Sequence, residues 1–167
     1  MRYNKIRKYD VANGPGVRAT IFVSGCTHKC EGCFNEELQD FNSGNAWTKE
    51  LEDEFIDNLK NPVIVGINVL GGEPLQQIFD DSLLDLLARV KKEFPDKTIW
   101  MWTGDLFEEA IENEKKLELI KLVDVLVDGL FELEKRNIKL KYRGSENQRI
   151  IDIKETFKQG NLVTLEY

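Results

Sequence analysis

The chain predicts an α/β protein with a mainly parallel sheet and crossover helices. Two observations predict it. Short β-branched and aromatic runs alternate with helical segments of about ten residues or more. Turn-forming residues, glycine above all, stand directly after the runs, where the strands of a parallel sheet hand over to loops.

Residues 18–23 (RATIFV) form the first run, rich in residues that favour a pleated, buried surface. Residues 47–59 follow with Leu51, Phe55, Ile56 and Leu59 on one helical stripe and Thr48 as N-cap, and Pro62 stops them. Residues 63–70 (VIVGINVL) are the clearest strand, closed by Gly71-Gly72-Glu73-Pro74. Residues 79–94 place Phe79, Leu83, Leu86, Leu87, Val90 and Phe94 at helical spacing, with Pro95 as the stop. Residues 98–102 (TIWMW) predict a third strand, ended by Thr103-Gly104. Residues 106–122 read as helix, divisible into two pieces, and 123–127 (VDVLV) as a fourth strand ended by Asp128-Gly129. Residues 148–158 suggest a last helix stopped by Gly160, and 162–165 a short final strand. If the strands run parallel, the four loops that follow them converge on one rim, where such folds gather ligands.

A length of 167 residues suits one domain with a real core, here residues 1–167. No apolar run reaches membrane-spanning length. No apolar stretch follows the basic residues near the start, so a cytoplasmic address is the expectation. A net charge of −7 argues against a surface that tracks nucleic-acid phosphates.

The three cysteines, Cys26, Cys30 and Cys33, stand in CxxxCxxC spacing in the loop after the first predicted strand. An odd number of close cysteines fits a disulfide framework poorly and points to metal or redox chemistry. One short loop can present three thiolates to a [4Fe–4S] cluster and leave its fourth iron open. Gly25 and Gly32 give that loop backbone freedom. The alternative is a tetrahedral zinc site with His28, the only histidine, as the fourth ligand. Structural zinc sites usually join two ligand pairs distant in sequence, whereas these candidates share one loop. Gly71-Gly72-Glu73-Pro74 reads either as a plain turn or as a ligand cradle, in which the glycines admit close approach and Glu73 accepts from an ammonium group. Trp102 suits the core or a stacked base, and Asp128 a ribose hydroxyl or a turn cap. Asn13-Gly14-Pro15-Gly16 and Arg143-Gly144-Ser145 read as surface turns. No GxGxxG or Walker A loop occurs.

CxxxCxxC after one strand and GGEP after a later one resemble the radical S-adenosylmethionine superfamily. Several further segments extend the likeness: Asn13-Gly14-Pro15-Gly16, residues 22–26 (FVSGC), Cys33-Phe34-Asn35, Trp102-Thr103-Gly104, Val127-Asp128-Gly129, and Arg143-Gly144-Ser145 with Asn147-Gln148. Together they resemble the activating proteins of anaerobic (class III) ribonucleotide reductases, over about residues 5–155. The resemblance implies a partial (β/α) barrel, cut down in size. Cys26, Cys30 and Cys33 would ligate a [4Fe–4S] cluster whose open iron takes the amino and carboxylate groups of S-adenosyl-L-methionine. Gly71, Gly72 and Glu73 would help bind the methionine amino group. Gly32, Cys33 and Phe34 are the candidates for the adenine contact through their backbones, because the aromatic residue that many superfamily members carry before the last cysteine is Gly32 here. Thr103 and Asp128 complete the cofactor-binding candidates. One electron from an external donor such as a flavodoxin would cleave the cofactor to methionine and a 5′-deoxyadenosyl radical. That radical would take a Cα hydrogen from a glycine of the large reductase subunit. Such chemistry needs no general acid or base, which suits the absence of a convincing catalytic dyad. Activation of another glycyl-radical enzyme, of the pyruvate formate-lyase type, keeps the chemistry and changes the target. A zinc-stabilised interaction module and an electron-transfer iron–sulfur protein are the readings from other classes.

Overall fold

The computed structural model describes residues 1–167. Its strands are β1 (Arg2–Asp10), β2 (Val17–Val23), β3 (Asn45–Ala46), β4 (Ile64–Gly71), β5 (Thr98–Trp102), β6 (Val125–Asp128) and β7 (Arg149–Asp152). They form one seven-stranded sheet in the order β3–β1–β2–β4–β5–β6–β7. The four central strands β2, β4, β5 and β6 pair in parallel. Both flanks are antiparallel, through β1 with β2 and β3 on one side and β7 with β6 on the other. The architecture is therefore mixed α/β with a parallel centre, as the alternation of runs predicts, and a closed barrel is not formed.

Helices α1 (Lys49–Asn58), α2 (Ser82–Glu93), α3 (Phe107–Ala110) and α4 (Glu114–Leu122) lie in the crossovers, and α5 (Ile153–Gln159) follows β7. Thr48 caps α1 by accepting from the Leu51 amide at 3.2 Å. Phe79 misses α2, which begins at Ser82, and stays exposed. The segment read as one helix over 148–158 is half strand. Ile150 and Ile151 are drawn into the sheet beside β6, and only residues from Ile153 onward coil. Gly160 ends α5 in the left-handed region, as expected of a helix stop. The short strand expected at 162–165 is reduced to a bridge between Ile151 and Thr164. β1 is an addition to the reading from sequence.

Alternation along the strands sorts side chains onto two unlike faces. One face carries Ala19, Ile21, Val23, Ile67, Val69, Ile99, Met101, Leu126 and Ile151, all buried against helical residues such as Phe55, Leu83, Leu87 and Ile120. This is the main core. The opposite face carries a small cluster of Trp100, Val125, Val127 and Ile150, and beside it a polar group that is also buried.

In that polar group, Arg18 Nε donates to Asn68 Oδ1 at 2.6 Å. Its Nη2 donates to the carbonyls of both Ile67 and Thr98, and the guanidinium lies over the Trp100 ring. Asn68 Nδ2 donates to Thr20 Oγ1 at 2.9 Å and to the Asn13 carbonyl at 2.6 Å. Thr20 donates to Asp10 Oδ2 at 2.7 Å, and the Asn13 side chain donates to the same oxygen at 2.7 Å. This relay runs from a buried cation to a buried carboxylate. It pins the turn of Asn13-Gly14-Pro15-Gly16 against the sheet, so the turn is a fixture rather than a loose surface loop.

Burial opposes ionisation of Asp10, but hydrogen bonds from Asn13, Ala12 and Thr20 with the nearby Arg7 charge win, and its pKa is lowered. The folded carboxyl therefore binds its proton less readily than the unfolded one. The stabilisation is complete above the unfolded value of about 4 and is lost as pH falls through the folded value. We predict that the unfolding free energy, measured by urea titration, drops more steeply below pH about 4 in the parent chain than in Asp10→Asn. Equal slopes would show that Asp10 does not contribute through its charge.

Candidate functional site

The loops after β2, β4, β5 and β6 all reach one cavity of about 610 Å³. Its walls include Cys26, Cys30 and Cys33, then Gly71, Gly72 and Glu73, then Trp102, Thr103 and Gly104, and finally Gly129. The convergence expected from parallel strands is thus present. Each loop exits at a strand's carboxyl end, and Phe22 and Leu70 of the sheet line the cavity with Asn13 of the turn before β2.

The cysteine loop leaves β2 through Ser24 and Gly25. Gly25 takes a left-handed φ of 104°, and a Cβ there would meet the Phe41 ring at 2.2 Å, so no side chain fits. All three thiols are partly exposed to the cavity. The Asn35 amide donates to the Cys33 sulfur at 3.4 Å. Burial pushes the Cys26 thiol up to about 11, and it raises Cys30 as well. No set of three or more Cys, His, Asp or Glu side chains is gathered to hold a single metal ion. A cubane takes each thiolate on a separate iron and needs them spread more widely. Three soft thiols of one loop, all lining one cavity, fit an iron–sulfur cluster.

His28 engages two carboxylates. Its Nε2 lies 3.0 Å from Glu73 Oε2 and 3.3 Å from Asp105 Oδ1. The hydrogen bonds to Asp105 and Glu73 outweigh burial and raise its pKa to about 9. His28 therefore ties the cysteine loop to its neighbours as a cation, an arrangement unlike that of a zinc-bound imidazole.

Glu73 is the centre of this junction and is 1% exposed. Its Oε1 accepts from the Leu75 amide at 2.9 Å, while Oε2 accepts from His28 and from the Gly104 amide at 2.8 Å. The carboxylate thus bonds three rim loops together. The paired glycines before it have a parallel explanation. A Cβ on Gly71 would lie 2.8 Å from the Val23 amide nitrogen, and one on Gly72 would lie 2.5 Å from the Gly25 carbonyl oxygen. They let the turn pass close against the exit of β2, where Gly72 and Glu73 donate to Val23 and Gly25 at 2.8 Å.

The remaining candidates divide. Phe34 and Thr103 line the cavity with Cys33, while Gly32 stands behind the wall against Leu133. Asp128 is wholly buried and does not line the cavity. Its carboxylate pairs with Arg149 at 2.5 Å and caps the Phe107 amide at 2.8 Å. Its neighbour Gly129 lines the cavity in its place, with φ at 97°. Trp102 lines the cavity and donates to the Tyr142 carbonyl at 2.7 Å.

Residues 130–144 supply wall residues that the sequence reading did not single out: Phe131, Arg136, Asn137, Ile138, Leu140 and Tyr142. The Arg143-Gly144-Ser145 turn anchors this arm. Gln148 Oε1 accepts from the Gly144 and Ser145 amides, and Arg143 donates to the Gln148 carbonyl at 2.6 Å. The signal for the arm was present in the length and basic character of the stretch between β6 and β7.

Comparison with known proteins agrees with the donor set. A family model described as a 4Fe-4S single cluster domain matches residues 12–151. A Vibrio cholerae protein is 43% identical over 152 residues, covering 90% of this chain and 97% of the relative. An Escherichia coli K12 protein is 41% identical over 150 residues, covering 89% and 96%. A protein of Enterobacteria phage T4 is 41% identical over 150 residues, covering 90% and 93%. Each of these relatives is named an anaerobic ribonucleoside-triphosphate reductase-activating protein.

Glu73→Gln keeps the shape of the junction and removes its charge. Its amide nitrogen must face at least one N–H donor that the carboxylate now satisfies. We predict a loss of about 2 kcal/mol in unfolding free energy, read by chemical denaturation. A change below about 0.5 kcal/mol would show that the three loops are held by other means.

Proposed function

The chain belongs to the anaerobic ribonucleoside-triphosphate reductase-activating proteins, and from that premise we propose how its residues carry out the activation. It is an iron–sulfur enzyme that activates the reductase. In our reading the whole chain acts as one radical S-adenosylmethionine domain in the cytoplasm, its sheet an opened, shortened (β/α) barrel. The observation that carries this reading is that Cys26, Cys30 and Cys33, all from one loop, line a single cavity.

Cys26, Cys30 and Cys33 would hold a [4Fe–4S] cluster and leave one position to S-adenosyl-L-methionine. When bound, that pair supplies one-electron cleavage of the cofactor and removal of a Cα hydrogen from a reductase glycine. The protein's part is to bind, orient and shield. The Asn35 amide at the Cys33 sulfur stabilises a thiolate there and tunes the reduction potential. Gly71 and Gly72 offer backbone groups to the methionine end, with Glu73 fixing the turn that presents them. The backbones of Gly32, Cys33 and Phe34, with Thr103, offer contacts to the adenosine end. Asp128 acts at one remove, by holding Arg149 and the start of α3. The electron comes from an external one-electron donor of the flavodoxin kind. The polypeptide substrate is the large subunit of the anaerobic reductase, and it reaches the cavity through its open side. A helix long and apolar enough to cross a membrane does not occur in the structure.

The test is anaerobic. The protein is reconstituted with iron and sulfide, reduced with dithionite, and given S-adenosylmethionine with the anaerobic reductase. We expect 5′-deoxyadenosine by chromatography and a glycyl radical by electron paramagnetic resonance. Cys26→Ala, Cys30→Ala and Cys33→Ala should each lower both products by at least about 1000-fold, equivalent to about 4 kcal/mol. Retained cleavage in any of the three would overturn the ligand assignment. Deoxyadenosine without the radical would leave the cleavage chemistry and remove the reductase as target.

A further inference from the structure

Residues 130–144 form an arm between β6 and β7 that roofs the cysteine loop. Phe131 packs on Phe34 with ring centroids 5.0 Å apart, and the Arg136 guanidinium lies 5.4 Å from the Phe34 centroid. The base of the arm is closed by the pairing of Arg136 with Ser145 and by the bond from the Glu146 amide to the Lys135 carbonyl at 3.0 Å. Its far side is pinned by Trp102. The arm is therefore held from both sides, beside the cavity it helps to line.

Its surface is basic. In a chain of net charge −7, this stretch carries Lys135, Arg136, Lys139, Lys141 and Arg143 against Glu132 and Glu134. Lys135 is paired with Glu132, but Lys139 and Lys141 have no carboxylate within 4 Å. Between these cations stands Ile138, 86% exposed, with Leu133 and Phe34 also open to solvent. An apolar tip ringed by unpaired cations at the mouth of the site is complementary to an extended peptide that carries carboxylates beside an apolar residue.

We propose that the arm is the docking element for the reductase, and that its lysines pair with an acidic, partly apolar surface of the reductase large subunit. This rests on the function proposed above and specifies how the substrate is recognised. Lys139 and Lys141 do not line the cavity, so their effect should fall on docking alone.

The experiment uses the reconstituted protein and Lys139→Glu/Lys141→Glu. Cleavage of S-adenosylmethionine with dithionite and no reductase should be unchanged. The reductase concentration giving half-maximal radical formation should rise at least about tenfold, with a matching rise in Kd by sedimentation of the two proteins. Added salt should weaken the parent pair and leave the variant pair nearly unaffected. An unchanged Kd and half-saturating concentration would overturn the proposal. A defect seen with a protein donor and absent with dithionite would also overturn it, assigning the arm to the electron donor. Equal loss of reductase-free cleavage would show that the arm only supports the site. If the parent protein itself cleaves no S-adenosylmethionine, the functional reading fails, while the sedimentation Kd still decides the docking surface.

Discussion

The arrangement of the rim depends on one buried carboxylate. Glu73 sits where water is excluded, and an isolated charge there would be prohibitively costly. It is tolerated because donors from three loops meet it, one of them the cationic His28. The dependence is mutual. Glu73 is the one side chain bonded to the cysteine loop, its own turn and the turn after β5 together; His28 with Asp105 and Gln76 with Thr27 add pairwise ties between these loops. The strain-free route for this junction also dictates the two preceding glycines, since any side chain on Gly71 or Gly72 would strike backbone of β2 and its exit.

A second division of labour runs through the sheet. One face is apolar and packed by helices, and it supplies the hydrophobic stabilisation. The other buries Arg18 without a carboxylate in contact and routes its charge through Asn68 and Thr20 to Asp10. Desolvation of Arg18 is offset by five hydrogen bonds, two of them to backbone carbonyls of the sheet itself, and by the Trp100 ring. Such a network is directional in a way an apolar core is not. It holds Asn13 in the lining of a cavity that has to stay open on one side.

Much of this was legible in the sequence, for identifiable reasons. The β-branched runs at β2, β4, β5 and β6 are buried on both faces, so composition alone reveals them. The cysteine spacing is chemistry rather than conformation and needs no fold to be read. β1 escaped notice because its residues, RYNKIRKYD, are polar and charged, and only pairing with β2 makes them a strand. β7 was merged with α5 because Ile150, Ile151 and Ile153 fit either period in so short a stretch. For Glu73 and Asp128 the sequence showed carboxylates after strands, but not the amides of Gly104 and Phe107 that meet them. Those partners are 31 and 21 residues away and become neighbours only once the sheet is assembled.

The bridge between Ile151 and Thr164 looks minor beside these features. Yet it brings the stretch after α5 back along the outer edge of β7, where Leu165 donates to the Ile150 carbonyl at 2.7 Å and Asp152 to the Val163 carbonyl at 2.9 Å. An exposed strand edge is a template for pairing with another molecule. Here the chain occupies that template with its own backbone. The result is a sheet that leaves its cavity side accessible while denying its flank to cross-β self-association, so the openness needed for a protein substrate carries no matching liability to aggregate along that edge.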